Sequence, residues 1–211
     1  MKKEEKMIFV FEGPDGSGKT TAAKRVCEIL EKEGLNVFFT SEPTSSPDGK
    51  RLRELLKDPN AALCDLYRLF VADRKSHLAL MKEISKAGST VICDRYKYST
   101  YCYQGAHGMT YEEMAENNSF EAPDLTIVLT ANCDVLMSRI ESRHMEKEIY
   151  ETRAHLERIG KLYLSLPSVF SKESFYYIDA SAAPEEIAQQ AARQILHLLK
   201  EGNARSQGAK Q

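Results

Sequence analysis

The chain has 211 residues, 42% of them hydrophobic and 28% charged; this is the make-up of a globular chain of one ordinary domain, not of a disordered one. Its net charge of −2 provides no general attraction to nucleic acid or acidic membranes, so an anionic ligand must be held by a local cluster. Five scattered cysteines, at 27, 64, 93, 102 and 133, form no CxxC pair and no Cys/His cluster, which argues against a zinc site or a disulfide framework and fits free thiols in a reducing compartment.

The opening MKKEEKMIFVFEG has only a short apolar run before a glycine loop, so 7–13 reads as a first strand rather than a signal peptide. Nothing approaches the ~20 apolar residues of a membrane span, and a cytosolic (cytoplasmic) location is expected. A helical pattern over Lys19–Glu33 leads to a second strand at 36–40 (NVFFT). A long helical stretch from Ala61 to Lys86 precedes a third strand at 89–94 (STVICD), and a fourth follows at 124–130 (DLTIVLT). Helical segments at Asn132–Arg143 and Arg153–Ser165 precede a fifth strand at 175–179 (FYYID), and Pro184 opens a last helix through Lys200. Strands apolar throughout and separated by helices predict a single doubly wound α/β domain over 1–200, a five-stranded parallel sheet with helices on both faces. Ligands in such sheets lie beyond the carboxyl ends of the strands. The loops after Gly13, Thr40, Asp94, Thr130 and Asp179 should therefore line one cleft. The polar tail EGNARSQGAKQ, 201–211, is expected to be disordered.

The first loop, Gly13-Pro14-Asp15-Gly16-Ser17-Gly18-Lys19-Thr20, matches G-x-x-x-x-G-K-[ST] between a strand and a helix, and Thr21 follows it. Its glycines let backbone N–H groups turn inward on phosphate oxygens, and the helix start adds a favourable dipole. Lys19 can bridge the β- and γ-phosphates, and the Thr20 hydroxyl can ligate Mg²⁺. The loop thus binds a nucleoside triphosphate, although Asp15 is an acid inside an anion trap. Asp94, ending the third strand, is the candidate second Mg²⁺-linked residue; its alternative is a carboxylate capping a helix.

GTPase switches, mechanical ATPases and small-molecule kinases share this loop. No NKxD occurs, and the only DxxG is Asp15–Gly18 within the loop; both facts disfavour a GTPase. A kinase needs a second pocket with its own cations, and Arg95 beside Asp94 and Arg74 in DLYRLFVADRKSH (65–77) supply them. Tyr67, Phe70, Val71, Arg74 and His77 fall on one helix face. They form either an amphipathic core face or a base-reading face, with Phe70 stacking on a flat base and Arg74 donating to an exocyclic oxygen.

GPDGSGKTT, LFVADR (69–74), DRYKYSTYCYQG (94–105) and PDLTIVL (123–129), in that order and spacing, closely resemble thymidylate kinases across about 7–200. The resemblance implies a P-loop nucleoside-monophosphate-kinase fold with a small helical lid, ATP with Mg²⁺ as donor, dTMP as acceptor, and a homodimer packed through helices. It places Phe70 on thymine, Arg74 on its O4, Thr100 and Gln104 at the N3 side, and Tyr103 against the sugar's 2′ position. Arg95 would clamp the acceptor phosphate, Asp15 would hold the sugar 3′-hydroxyl, and Tyr163 would close over the nucleotide. The donor adenine would rest on Ala180, Ser181, Ala182 and Ala183.

Two departures from the family pattern stand out. The phosphate loop lacks the arginine that one branch carries. The charged stretch SRHMEKEIYETR (142–153) would by itself read as a solvated helix face, but it lies where the other branch has its lid, about 141–153. Arg139 and Arg143 are the catalytic candidates there, followed by Lys147 and Arg153, while Glu141, Glu146 and Glu148 dilute the charge. No arginine stands beside Glu42-Pro43; Arg53 in the following helix is the candidate substitute, with solvated surface charge as the alternative. In-line transfer to an anionic acceptor requires no strong base, so Lys19, Mg²⁺ and arginines would do most of the work. The alternatives are a kinase for another pyrimidine monophosphate or deoxynucleoside, and a non-catalytic nucleotide-binding regulator.

Overall fold

The computed structural model describes residues 7–58, 60–142 and 152–208. Arg143, Glu146, Lys147 and Glu148, with most of the expected lid, lie outside them, as do residues 209–211 of the tail. In chain order the elements are β1 (Ile8–Glu12), α1 (Lys19–Lys32), β2 (Val37–Ser41), α2 (Pro47–Leu55), α3 (Leu63–Lys86), β3 (Thr90–Asp94), α4 (Lys97–Ala106), α5 (Tyr111–Ala115), β4 (Leu125–Thr130), α6 (Cys133–Glu141), α7 (Arg153–Val169), β5 (Phe175–Asp179) and α8 (Pro184–Gly208).

The five strands form one sheet in the order β2-β3-β1-β4-β5, every pairing parallel. Successive strand side chains point to opposite faces, and β1 shows the consequence. Phe9 and Phe11 pack with Val26 and Leu30 of α1 and Ala191 and Ile195 of α8. Val10 packs the other way, with Leu52, Met81, Tyr98, Ile159 and Tyr163 from α2, α3, α4 and α7. A strand covered on both faces has no polar side to present, and this is why β1, β3 and β4 read as continuous apolar runs. The edge strand β2 is half-buried throughout.

Topology puts the β1 loop, the β2 loop and the start of α4 side by side at the carboxyl end of the sheet. The β2 loop is fixed from below by buried Asp73 of α3, which accepts the Thr44 N–H at 2.7 Å and the hydroxyls of Thr44 and Ser46 at 2.5 and 2.6 Å. Ser46 then caps α2, accepting the Gly49 N–H at 3.0 Å. A Cβ at Gly49 would lie 2.2 Å from the Thr44 carbonyl oxygen, so only glycine lets α2 close on this loop.

The structure differs from the sequence expectation in three helices. The α4 segment KYSTYCYQGA has nine of its ten residues buried, so it carries no polar stripe from which a helical period could be read. Short α5 is marked instead by a capping box between Thr110 and Glu113. The last helix continues past Lys200 to Gly208, into the tail expected to be disordered.

Candidate active site

The phosphate loop is shaped by close approach. A Cβ at Gly13 (φ 144°) would lie 2.3 Å from the Leu129 carbonyl oxygen, and one at Gly16 (φ 82°) would lie 2.6 Å from that of Leu136. The loop is thus pressed between the end of β4 and α6, in a backbone conformation that side chains resist. At the start of α1, Lys19 is buried with its Nζ 3.2 Å from the Pro14 carbonyl and 3.6 Å from Asp15. Burial, reinforced by the Arg95 charge, lowers its pKa to about 8 against the opposing pull of Asp15, Asp94 and Glu12.

Thr20 Oγ1 donates to Asp94 Oδ2 at 2.5 Å, which brings the two metal candidates together from α1 and β3. Asp94 Oδ1 and the Ser17 hydroxyl are buried with no hydrogen-bond partner among the described residues. Buried polar atoms are normally paired, so these two oxygens are oriented for a ligand. One carboxylate and one hydroxyl suit Mg²⁺, which takes few protein ligands and fills its shell with phosphate and water oxygens.

Arg95 follows Asp94 at φ 72°, the one non-glycine positive φ among the described residues, a conformation costing about 1–3 kcal/mol that surrounding contacts must hold. Those contacts lead straight to the phosphate loop. Its Nη2 donates to Asp15 in a short ion pair and to the Tyr103 hydroxyl at 3.3 Å, and its Nη1 donates to Ser99 Oγ at 3.2 Å. The guanidinium lies 5.0 Å from the centre of the Tyr103 ring. Tyr103 in turn donates to Asp15 Oδ2 at 2.8 Å. The acid in the anion trap therefore makes its bonds to Arg95 and Tyr103 on the far side, while staying 3.6 Å from Lys19.

On that side opens a cleft of about 610 Å³ counted to its mouth, lined by Asp15, Pro43, Arg53, Leu56, Phe70, Arg95, Ser99 and Tyr103. Five of the expected acceptor residues meet there: Asp15, Arg53, Phe70, Arg95 and Tyr103. Arg53 arches over the β2 loop, donating to the Thr44 carbonyl at 2.6 Å and, in a short contact, to that of Pro43.

Others lie deeper. Arg74 is buried, bound through Nε and Nη2 to Glu42 at 2.8 and 2.7 Å, and through Nη1 to Thr100 and Asn118 at 2.9 and 2.6 Å. Four of its five N–H groups are thus directed at protein, which leaves one on Nη2. Glu42 also holds His77, 3.0 Å away, and His77 reaches Thr40 at 2.7 Å. Gln104 is fully buried in α4. Tyr163, expected to close over a nucleotide, is instead wholly buried between β1 and α4, donating to Glu12 at 2.8 Å.

On the donor side, Arg139 of α6 reaches the Gly16 carbonyl at 3.4 Å. Arg153, by contrast, pairs on the surface with Asp134 at 2.7 Å. After β5, Ala180 is buried and bonded to Thr130 at 2.7 Å, the Ser181 N–H is held by Asp179 at 2.8 Å, and Ala182 packs on the core under α1 and α8. Glu12, Ser99 and Asn118 escaped the sequence reading, Ser99 although it lies inside the DRYKYSTYCYQG motif. Glu12, a lone carboxylate ending an apolar strand, carried a visible signal. Asn118, in a loop of polar residues, carried none.

A parallel sheet with a phosphate loop at its carboxyl edge, a carboxylate on the adjacent strand and an arginine-lined second cleft defines a P-loop nucleotide-binding protein of the small-molecule kinase type. The family described as Thymidylate kinase matches residues 11–191, and the chain belongs to that family. It is 34% identical over 197 residues to a thymidylate kinase of Desulfotalea psychrophila, covering 92% of this chain and 96% of the relative. It is 35% identical over 200 residues to one of Leptospira borgpetersenii, covering 90% and 93%, and 35% identical over 204 residues to a probable thymidylate kinase of Pyrococcus abyssi, covering 91% and 97%. Among the described residues no helix is long and apolar enough to cross a membrane.

Proposed function

We propose that the chain transfers the γ-phosphoryl group of ATP to dTMP, giving dTDP and ADP. The observation that carries this reading is the Asp15–Arg95–Tyr103 junction, where a phosphate loop shares its own side chain with the second, arginine-lined cleft. The loop amides from Gly13 to Thr21 and the Lys19 ammonium hold the triphosphate, and the adenine rests on Ala180–Ala183. Thr20 and Asp94 would hold Mg²⁺, which when bound offsets phosphate charge. Phe70 stacks on thymine, the remaining Arg74 N–H with Thr100 and Gln104 faces the base edge, and Tyr103 fills the space beside the sugar. Asp15 accepts from the 3′-hydroxyl, while Arg95 and Arg53 take the acceptor phosphate. Arg139, which reaches the phosphate loop at the Gly16 carbonyl, joins Lys19 as a cation of the donor side; Arg143 is proposed as a second lid cation. With both anions positioned and desolvated, electrostatic stabilisation suffices for in-line attack. Two copies pair through helices, a reading supported by Leu80, which α3 leaves 51% exposed.

A coupled assay of ADP release with dTMP, dUMP, dCMP, UMP and thymidine tests the function. The highest kcat/KM is expected with dTMP. A higher value with UMP or thymidine would move the chain to another acceptor, and release indifferent to every acceptor would make it a nucleotide-binding regulator.

A further inference from the structure

Glu12 is fully buried at the end of β1, directly before the phosphate loop. Its Oε1 accepts the N–H groups of Tyr96 at 2.8 Å and Ser99 at 3.0 Å, and its Oε2 accepts the hydroxyls of Ser99 at 2.6 Å and Tyr163 at 2.8 Å. Helix α4 has no side-chain cap of its own at Tyr96. The carboxylate of another strand supplies the acceptor and the negative charge that a helix start favours. The Tyr96 and Ser99 N–H groups at the amino end of α4 are therefore taken by protein, while Arg95 and Arg53 line the acceptor cleft.

Ser99 makes the connection. Its hydroxyl donates to Glu12 and accepts from Arg95 Nη1 at 3.2 Å, while Arg95 Nη2 is paired with Asp15. Two of the three anchors of the guanidinium thus return to one short segment of chain, Glu12 through Ser99 and Asp15 directly, the third being the Tyr103 hydroxyl. No cation lies within 4.0 Å of Glu12 among the described residues, and the nearest compensating charge is Arg95 itself, one hydroxyl away. We propose that Glu12 is a positioning residue for phosphoryl transfer, holding Ser99 so that the Arg95 guanidinium stands at a fixed place between the phosphate loop and the acceptor phosphate. Burial raises the Glu12 pKa above the ordinary carboxylate value, opposed by the hydrogen bond from Ser99, the charge of Arg95 and the bonds from Tyr163 and Tyr96. Four donors on a buried carboxylate could also serve packing alone. The two roles part on a substrate that lacks the phosphate.

This proposal rests on Arg95 being the acceptor-phosphate clamp, and the experiment separates the two ideas. Binding of dTMP, thymidine and ATP is measured by titration calorimetry for the parent chain and for Glu12→Gln, Ser99→Ala, Glu12→Gln/Ser99→Ala and Arg95→Ala. Glu12→Gln should lower the preference for dTMP over thymidine about tenfold, the effect of disturbing a hydrogen bond to a charged group, with thymidine and ATP affinities little changed. Ser99→Ala should act in the same direction, and the double variant should be no worse than Glu12→Gln, because the two residues form one chain of contacts. Equal weakening of dTMP and thymidine, or additive losses in the double variant, would overturn the proposal and leave Glu12 a packing residue. If Glu12→Gln fails to fold, Ser99→Ala decides: an unchanged dTMP-to-thymidine ratio refutes the relay. An unchanged ratio in Arg95→Ala would overturn the clamp and the Glu12 proposal together; a changed ratio there with none in Glu12→Gln overturns the Glu12 proposal alone.

Discussion

Asp15→Asn separates the two substrates most sharply. In the parent chain Asp15 pairs with Arg95, accepts from Tyr103 at 2.8 Å and lies 3.6 Å from Lys19, its side chain only 12% exposed. Breaking a buried ion pair costs about 3–5 kcal/mol when it leaves the other charge uncompensated. Here Arg95 is itself 19% exposed and asparagine keeps one acceptor for Tyr103, so a smaller loss is expected. For dTMP the loss is that of a charged acceptor for the 3′-hydroxyl, about 1.5–3 kcal/mol, equivalent to a fall of about 10- to 150-fold in kcat/KM. ATP responds differently, because the lost anion both attracts Lys19 and repels phosphates, and removing it leaves ATP affinity within about threefold. Initial rates with dTMP varied at saturating ATP, beside ATP binding by calorimetry, check both numbers. An equal loss for ATP and dTMP would refute the reasoning and return Asp15 to the donor site.

Phe70→Ala removes the half-buried ring from the acceptor cleft and should raise the KM for dTMP by the equivalent of about 1–3 kcal/mol of stacking; ATP binding is unchanged, and a matching loss for ATP would make Phe70 a core residue only. Burial holds the Lys19 pKa at about 8, so the ammonium is charged below that pH and loses its charge as pH rises through it. ATP affinity of the free enzyme should therefore be level at lower pH and weaken above about 8, a trend that calorimetry across the range would reveal and a flat profile would contradict. Gly16→Ala sets a methyl 2.6 Å from the Leu136 carbonyl at φ 82°. It should lower the melting temperature and ATP affinity together by pushing α6 off the phosphate loop; an unchanged melt would show that the loop has room to move.

The parts of this molecule that could be read from its residues are those with a local cause. MIFVFEG, STVICD and DLTIVLT announced strands because burial on both faces removes polar side chains from them, and GPDGSGKT announced its task because phosphate needs those glycines and that lysine. Phe70 was legible from helix spacing, Arg95 from its place beside Asp94 and Tyr103 through the family motif, and the structure places them around one cleft. Helix α4 was hidden for the opposite reason to a surface helix, since burial on all sides erases the period. The position of Tyr163, wedged against Glu12, depends on how α7 packs on β1, which no local pattern encodes. The engagement of four Arg74 N–H groups by Glu42, Thr100 and Asn118 likewise comes from four separate elements meeting at one point. Asp15 lay between these cases: its oddity was visible in the sequence, but its direction required the fold.

The central claim is that one phosphoryl group crosses from the loop at Lys19 to an acceptor held by Arg95. The direct test is to incubate the chain with Mg²⁺, dTMP and ATP labelled at the γ-phosphate and to follow the label. The account predicts that label appears in the β-phosphate of dTDP, in step with ADP. Label released as inorganic phosphate at a rate indifferent to dTMP would contradict it.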